Sequence, residues 1–229
     1  MREHTEQIRP PRALWVPFEL GRPLGVPGDR AFQGRVLRAA LALAEQPTGP
    51  ILADFPEDAP ASGGDDETWS CALPLPAAPT AETPLDSATW RLQRELQLLN
   101  PWHEEALRAG RRTTVGPSGL SPERMGEAAR VLACAASGAP IEAPLGASAE
   151  LPYLLRLLAD DLKAFYTEAA LAQPNSPAPS SPQLGKWIFH ETELGQTLYD
   201  ARDRWLKSED PREQGVARQL VPGIWSRRP

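Results

Sequence analysis

Prolines and glycines divide this chain into short segments, and the helical patterns lie between them. The 229 residues include 26 prolines and 17 glycines, which is a high number for a helical protein. They fall mainly between periodic stretches, where they end helices, rather than inside them. The pattern therefore predicts a mainly α protein, built as a helical bundle with Pro-rich extended connections.

Five stretches have the spacing of three and four residues between apolar positions that an amphipathic helix requires. These predicted helices cover residues 30–46, 84–99, 121–137, 152–172 and 183–207. The second one has a strong start signal, because Thr83 is followed by Pro84 and, three residues after the threonine, by Asp86. Pro101 is expected to start or kink a further turn, and a weaker helix is expected after Pro211.

The N-terminal part has a different pattern. Residues 13–16 form an apolar run typical of a short buried strand, and the glycines and prolines that follow exclude regular structure. Asp29 can cap a helix that begins at Arg30, and residues 51–52 indicate another short strand. This order predicts a small N-terminal strand-loop-helix lobe. We expect two regions that pack together as one unit: a lobe with acidic and Pro-rich loops at 1–80 and a helical domain at 81–229.

Composition limits the partners that the chain can have. The sequence contains 24 Lys and Arg against 30 Asp and Glu, and the net charge of -6 disfavours binding to nucleic acid. No apolar run approaches the ~20 residues of a membrane span, and no signal-peptide pattern opens the chain. Two cysteines without C-x-x-C spacing are too few for a disulfide framework. We therefore expect a soluble, cytoplasmic protein in which Cys71 is an unreactive thiol.

One segment resembles a known family. The sequence PRALWVPFELGRPLGVPGDRAFQGRVLRAALAL, with GPILADFPEDAP after it, spans about residues 12–58. It is similar to the C-terminal segment of selenoprotein B, the family of substrate-binding subunits of glycine, sarcosine, betaine and D-proline reductases. In that family the segment follows a large α/β body with a cysteine or selenocysteine motif, and nothing in this sequence corresponds to the body. The resemblance implies an association with such a subunit and assigns no catalytic residue here.

The loop before the first long helix is one candidate ligand site. Free N–H groups at a helix start, together with an arginine, can hold an anionic group, which makes Arg22, Gly25 and Gly28 candidate ligand-binding residues. A purely structural turn is the alternative interpretation. It is favoured because no phosphate-binding motif is present and because Asp29 at the cap position would repel an anion.

A second candidate site involves carboxylates in the helical part. Glu191 falls on the apolar stripe of the last predicted long helix, and Asp161 lies at the margin of the stripe before it. If these helices pair antiparallel, Asp161 or Glu168 would approach His190 or Glu191 in a polar cluster able to bind a ligand. The alternatives are a hydrogen-bonded, buried Glu191 or an edge position. No metal is expected, because neither Glu-x-x-His nor H-E-x-x-H occurs.

These observations favour an accessory or interaction protein with no catalytic motif and no cofactor. Its predicted partner is a selenoprotein B-like reductase subunit or a second copy of the chain, bound through an exposed apolar patch at Trp15, Phe18 and Leu24. The alternative is a small-molecule enzyme, reductase-related, or a ligand-binding protein with a pocket between the N-terminal lobe and the helices. A self-sufficient helical protein without catalysis is a third possibility.

Overall fold

The computed structural model describes residues 2–18, 24–25, 29–58, 69–73, 83–144, 146–147, 149–174, 176 and 179–228. Over these residues the protein is mainly α, which confirms the predicted fold class. The chain divides into two compact units, Met1–Glu67 and Thr68–Pro229. The joint packing of lobe and helical domain stays a prediction.

The N-terminal unit is a strand-helix-strand arrangement preceded by a short helix that the sequence did not predict. Its elements are α1 (Arg2–Ile8), β1 (Arg12–Trp15), α2 (Arg30–Ala42) with a 3-10 turn at Leu43–Glu45, and β2 (Ile51–Asp54). The strands pair in parallel, as a helical crossover between them requires, with Arg12 opposite Ile51 and Trp15 opposite Asp54. Asp29 caps α2 as predicted, because its carboxylate accepts a hydrogen bond of 2.9 Å from the amide of Phe32.

A small aromatic core holds this unit together. Phe32 and Val36 on one face of α2 and Phe55 after β2 are buried, and the rings of Phe32 and Phe55 meet edge to face with centroids 6.0 Å apart. Phe18 and Leu24 pack against these three side chains. The core of the lobe is therefore made by residues of its own strands, loop and helix.

The second unit contains six α-helices within the described residues. They are α3 (Pro84–Arg108), α4 (Met125–Ser137), α5 (Tyr153–Leu171), α6 (Ser181–Lys186), α7 (Glu193–Trp205) and α8 (Pro211–Leu220). Helix α4 packs against α3, α5 and α7, and α8 packs against α5 and α7. Their apolar faces meet in one core, in which the largest fully buried side chains include Trp187, Tyr166 and Tyr199.

The ends of these helices follow local sequence signals. Thr83 caps α3 as predicted, since its hydroxyl accepts a hydrogen bond from the amide of Asp86. Ser180 and Gln183 form a capping box at the start of α6. Gly138 ends α4 with φ of 79°, a left-handed conformation that favours glycine.

Two predicted helices differ from the structure. Helix α3 does not end near Leu99, since the further turn expected after Pro101 continues it to Arg108. The single long helix predicted over 183–207 is broken, because a π-helical turn (Trp187–Glu191) follows α6 and Thr192 is extended, with φ of -111° and ψ of 156°. Thr192 then caps α7 by accepting a hydrogen bond from the amide of Gly195.

The segment 69–73 belongs to the helical unit. It has no helix or strand, as the sequence predicts, and it packs on the core through Trp69, Cys71 and Leu73. The Trp187 indole donates a 2.8 Å hydrogen bond to the carbonyl oxygen of Cys71. The first unit therefore ends before this segment, earlier than the predicted lobe.

Candidate functional site

The predicted anion site at the start of α2 is only partly described. Arg22 and Gly28 lie outside the described residues, while Gly25 is buried with φ of 84°. The Asp29 carboxylate already occupies the helix start, and a negative charge there disfavours a second anion. Arg12, the first residue of β1, donates to the carbonyl oxygens of residues 43 and 46 just after α2, so it has a structural role.

The predicted partner-binding residues lie in two different environments. Phe18 and Leu24 pack against the core of the lobe and do not form an exposed patch, which corrects the prediction for these two residues. Leu14 and Val16 pack on the same core, whereas Trp15 is half-buried and lies outside that core. Because successive strand residues point to opposite faces, Trp15 lies on the face of the sheet turned away from α2.

The face of the sheet opposite α2 carries three apolar side chains and one acid. The parallel register places Ala13 beside Leu52 and Trp15 beside Asp54, so these four side chains share that face. Helix α1 lies along β2, because Arg2 forms an ion pair with Asp54 while Thr5 and Glu6 line a small cavity of about 200 Å³ together with Ile51 and Leu52. None of the residues in β1 or β2 is fully buried. A separate apolar surface lies on the exposed side of α2, where Leu37 is 47% exposed and Leu41 is 70% exposed.

Asp161, the first predicted carboxylate of the helical part, holds a loop in place. Its side chain is fully buried, and its two oxygens accept hydrogen bonds from the amides of Gly116 and Ser118 and from the Ser118 hydroxyl. These donors all belong to the connection between α3 and α4. A buried carboxylate with three donors is a satisfied structural group.

Glu168, two helical turns further along α5, holds the same connection. One of its oxygens accepts from the amide and hydroxyl of Thr114, at 2.7 and 2.9 Å, and the other lies 3.0 Å from Nε2 of His103. Burial raises the pKa of Glu168, but its hydrogen bonds, above all that from the Thr114 amide, outweigh burial and leave the pKa below its usual value. His103 is buried and stacks on Phe165 with ring centroids 4.3 Å apart.

His190 and Glu191 do not meet these carboxylates. Both lie in the π-helical turn, where Glu191 is exposed and forms an ion pair of 3.8 Å with Lys186. The His190 ring packs edge to face on Trp225, with centroids 5.2 Å apart. The predicted cluster of Asp161, His190 and Glu191 is therefore not formed, because both later residues lie in a π-helical turn, which departs from the α-helical period that the prediction assumed.

A buried carboxylate of α3 that was not predicted from the sequence contacts the start of α7. Glu95, on α3, is 1% exposed and accepts hydrogen bonds from the amides of Glu193 and Leu194 and from the Tyr166 hydroxyl. Burial raises its pKa to about 7, against the lowering effect of these three donors. Glu95 thus ties α3, α5 and α7 together. The burial of Glu95 could have been predicted, because this residue falls three positions after Leu92 on the same apolar stripe.

Cys71 lies close to this carboxylate. Burial, with a smaller contribution from the negative charge of Glu95, raises the pKa of the thiol to about 11. A thiol with such a pKa is almost wholly protonated near neutral pH and is a poor nucleophile. Cys71 is therefore a core residue, in agreement with the expectation of an unreactive thiol.

A groove of about 860 Å³ opens where the carboxyl ends of α4 and α7 meet. Its two aspartates, Asp200 and Asp203, form ion pairs with arginines of the C-terminal segment and of α7. The three other charged side chains that line it are Arg204, Lys207 and Glu213, which are of both signs. The groove therefore favours neither an anionic nor a cationic ligand.

The chain matches no protein-family model, no curated protein and no solved structure. Over the part of the chain that the structure describes, no helix is both long and apolar enough to cross a membrane. In the same residues, no group of three His, Cys, Asp or Glu side chains is placed to hold a metal ion. Among the surfaces described above, the outer face of the two-stranded sheet is the strongest candidate for function.

Proposed function

We propose that this chain is an interaction protein that binds a selenoprotein B-like subunit of a glycine, sarcosine, betaine or D-proline reductase. The binding surface is the outer face of the two-stranded sheet, centred on Trp15. The resemblance of residues 12–58 to the C-terminal segment of such subunits supports this class of partner. The protein has no catalytic role of its own in this proposal.

The observation that carries the proposal is that no residue of either strand is fully buried. Parallel sheets occur almost only where both faces are covered, and two strands alone are marginally stable in water. Here α2 covers one face, and a half-buried tryptophan lies on the other, opposite Asp54 and on the same face as Ala13 and Leu52. A second protein layer over that face would give the sheet the environment that parallel strands require.

The enzyme alternative has no comparable support among the described residues. Asp161 is saturated by donors of its own unit, Glu191 is paired with Lys186 on the surface, and His190 packs on Trp225. A cytoplasmic location belongs to the proposal as well. It is supported by Cys71 and Cys134, which are both buried and free.

The proposal is tested by isothermal titration calorimetry with a purified selenoprotein B-like subunit from the same organism. We expect a complex, and we expect Trp15→Ser to weaken it by about tenfold or more, because buried tryptophans often dominate binding energy. The matched control is Ile224→Ser, which removes an 84% exposed apolar side chain of the other unit and should leave the affinity unchanged. Circular dichroism establishes that both variants are folded. Absence of binding by the unaltered protein would refute the proposal.

A further inference from the structure

Residues 222–228, which we call the strap, contact the π-helical turn and α7 of the helical unit. The strap contains a 3-10 turn (Gly223–Trp225) with its own main-chain hydrogen bonds, from the amide of Trp225 to Pro222 and from that of Ser226 to Gly223. Across the described residues, no main-chain group of 223–228 bonds to the main chain of a helix. The strap can therefore separate from the helices without breaking any of their hydrogen bonds.

Side-chain contacts attach the strap to α7. The Tyr199 hydroxyl donates a 2.6 Å hydrogen bond to the carbonyl oxygen of Trp225, and Arg202 donates at 2.8 Å to the next carbonyl oxygen along the strap. Arg228 forms an ion pair of 2.7 Å with Asp200, and both side chains are about half exposed. Exposed ion pairs contribute little to stability, and segments held by few buried contacts open locally before the whole protein unfolds.

The indole of Trp225 is the part of the strap that packs most closely on the helical unit. It lies 21° from the plane of the Phe189 ring, with centroids 6.3 Å apart, and perpendicular to the His190 ring, with centroids 5.2 Å apart. A Cβ at position 185 would lie 2.6 Å from the indole nitrogen, so a glycine there lets the ring approach the backbone of α6. Gly185, Phe189 and His190 together form a site with the shape of a flat aromatic ring.

One polar atom of this site is unsatisfied. Nε2 of His190 is buried and has no hydrogen-bond partner in the part of the chain that the structure describes. Trp225 packs against this imidazole without bonding to it. A buried polar atom without a partner costs free energy, and that cost is removed when water or a ligand reaches the atom. The closed position of the strap is therefore opposed by a group that it covers.

We propose that the strap is a reversible cover and that Trp225 is the internal occupant of a binding site for a planar aromatic ring, formed by Gly185, Phe189 and His190. The indole that fills the site specifies the class of ligand. When the strap separates from α7, a ring of the same kind replaces the indole, and a polar group on that ligand bonds to His190. This site lies in the helical unit, so the inference goes beyond the proposed function and does not depend on it.

The cover is tested by the reaction of histidines with diethyl pyrocarbonate, located by mass spectrometry of peptides. The exposed His4 and the 1% exposed His103 are internal references. In the unaltered protein, His190 should react more slowly than His4 and faster than His103, because the reagent needs transient opening. Trp225→Ala should accelerate His190 by about tenfold or more. Ile224→Ala, the matched control on the same strap, removes an 84% exposed side chain and should leave the rate unchanged.

Two further variants keep the test informative if Trp225→Ala does not fold. Gly185→Ala retains the indole but places a Cβ where the ring lies, so it should also accelerate His190, and alanine is the better helix former. Arg228→Ala removes the exposed ion pair and should accelerate His190 by about two- to fivefold. Circular dichroism establishes which variants are folded.

Indole is the probe for the ring site. In folded Trp225→Ala or Gly185→Ala, millimolar indole should slow the reaction of His190 again and leave the rate of His4 unchanged. An unaltered protein in which His190 is as unreactive as His103 would overturn the inference, since the strap would then not open. Equal rates of His190 in the unaltered protein and in both indole-displacing variants, or no protection by indole, would overturn it as well.

Discussion

At the scale of single residues, the polar groups buried in the helical unit connect segments that are distant in the chain. Asp161 and Glu168 hold the connection between α3 and α4, and Glu95 holds the start of α7. Each carboxylate accepts at least two hydrogen bonds, which offsets the cost of removing it from water. We therefore expect these residues to affect stability rather than ligand binding.

Asp161→Ala should lower the free energy of unfolding by about 3 kcal/mol or more, because it leaves the buried amide and hydroxyl of Ser118 and the part-buried amide of Gly116 without an acceptor. The matched control is Asp160→Ala, which removes the neighbouring acid, 41% exposed and paired with Arg156 and Lys163. The control should change stability by no more than about 0.5 kcal/mol. Urea denaturation measures both values, and equal losses would contradict a structural role specific to Asp161.

Glu95 should make stability depend on pH near neutrality. Because burial raises its pKa to about 7 in the folded protein, the folded state binds the proton more tightly than the unfolded chain does. Its contribution to stability is therefore present at acidic pH and is lost as pH rises towards the folded pKa. Relative to Glu95→Gln, the unaltered protein should lose about 3 kcal/mol between about pH 5 and about pH 8.

The comparison is made by urea denaturation across this pH range. The groups that face Glu95 are Tyr166, Glu193 and the Cys71 thiol, with Arg91 paired to Glu193. Because glutamine has no titratable proton, the difference between the two proteins isolates Glu95. Glu191→Gln, an exposed acid, serves as the control with an unchanged profile. An identical pH profile for Glu95→Gln would rule out Glu95 as the source.

The sequence contained the signal for these buried residues, although the carboxylate cluster predicted from it is wrong. Glu95 and His103 both fall on the stripe of Leu92, Leu96 and Leu99, at spacings of three or four residues from a leucine. A polar residue on such a stripe predicts burial. It does not predict the partner, because Tyr166 and Glu168 come from a helix more than sixty positions later, and sequence spacing does not determine that contact.

At the scale of elements, helix starts were easier to predict than helix continuity. Capping residues such as Asp29 and Thr83 act within one turn, so the sequence predicts them well. The break at Thr192 was missed because Leu194 and Leu198 continue the apolar period of the preceding segment. The signal that was available is Thr192, three residues before Gly195. A glycine is needed at position 195 because its backbone lies close to the π-helical turn.

Gly195→Ala should destabilise the protein by about 2 kcal/mol or more, because a Cβ there would lie 2.3 Å from the carbonyl oxygen of Ile188. Gly215→Ala is the matched control on α8, where a Cβ meets nothing within 4 Å. Alanine is the better helix former, so the control should gain about 0.5–1 kcal/mol. Thermal and urea unfolding measure both changes, and a neutral Gly195→Ala would contradict the close packing at the break.

At the scale of the whole molecule, the two units differ in how much apolar surface they bury. The core of the helical unit contains buried side chains from five of its six described helices and from segment 69–73, whereas the lobe buries only Phe32, Val36 and Phe55 among its described apolar residues. Small cores seldom supply more than about 3–5 kcal/mol. Because the two units have separate cores, the stability of each unit should depend on its own residues.

Expressed alone, Thr68–Pro229 should fold cooperatively, with a helical circular dichroism spectrum and the same effect of Asp161→Ala as in the full chain. The Met1–Glu67 fragment should be much less stable than the long one and should melt at a lower temperature, because three buried side chains barely offset its loss of conformational entropy. Thermal melting of the two fragments is the measurement. A short fragment that melts as high as the long one, or a long fragment without a cooperative transition, would contradict this division.

The hydrogen bond from Trp187 to Cys71 also has a consequence for the order in which the protein is made. The two residues are 116 positions apart, and at about 5–20 residues per second a ribosome needs on the order of ten seconds to add the second after the first. Throughout that interval the segment around Cys71 is complete while its indole donor does not yet exist. Closure of the helical core is therefore a late event in synthesis, and until then the apolar side chains around Cys71 lack the partners that bury them in the finished protein.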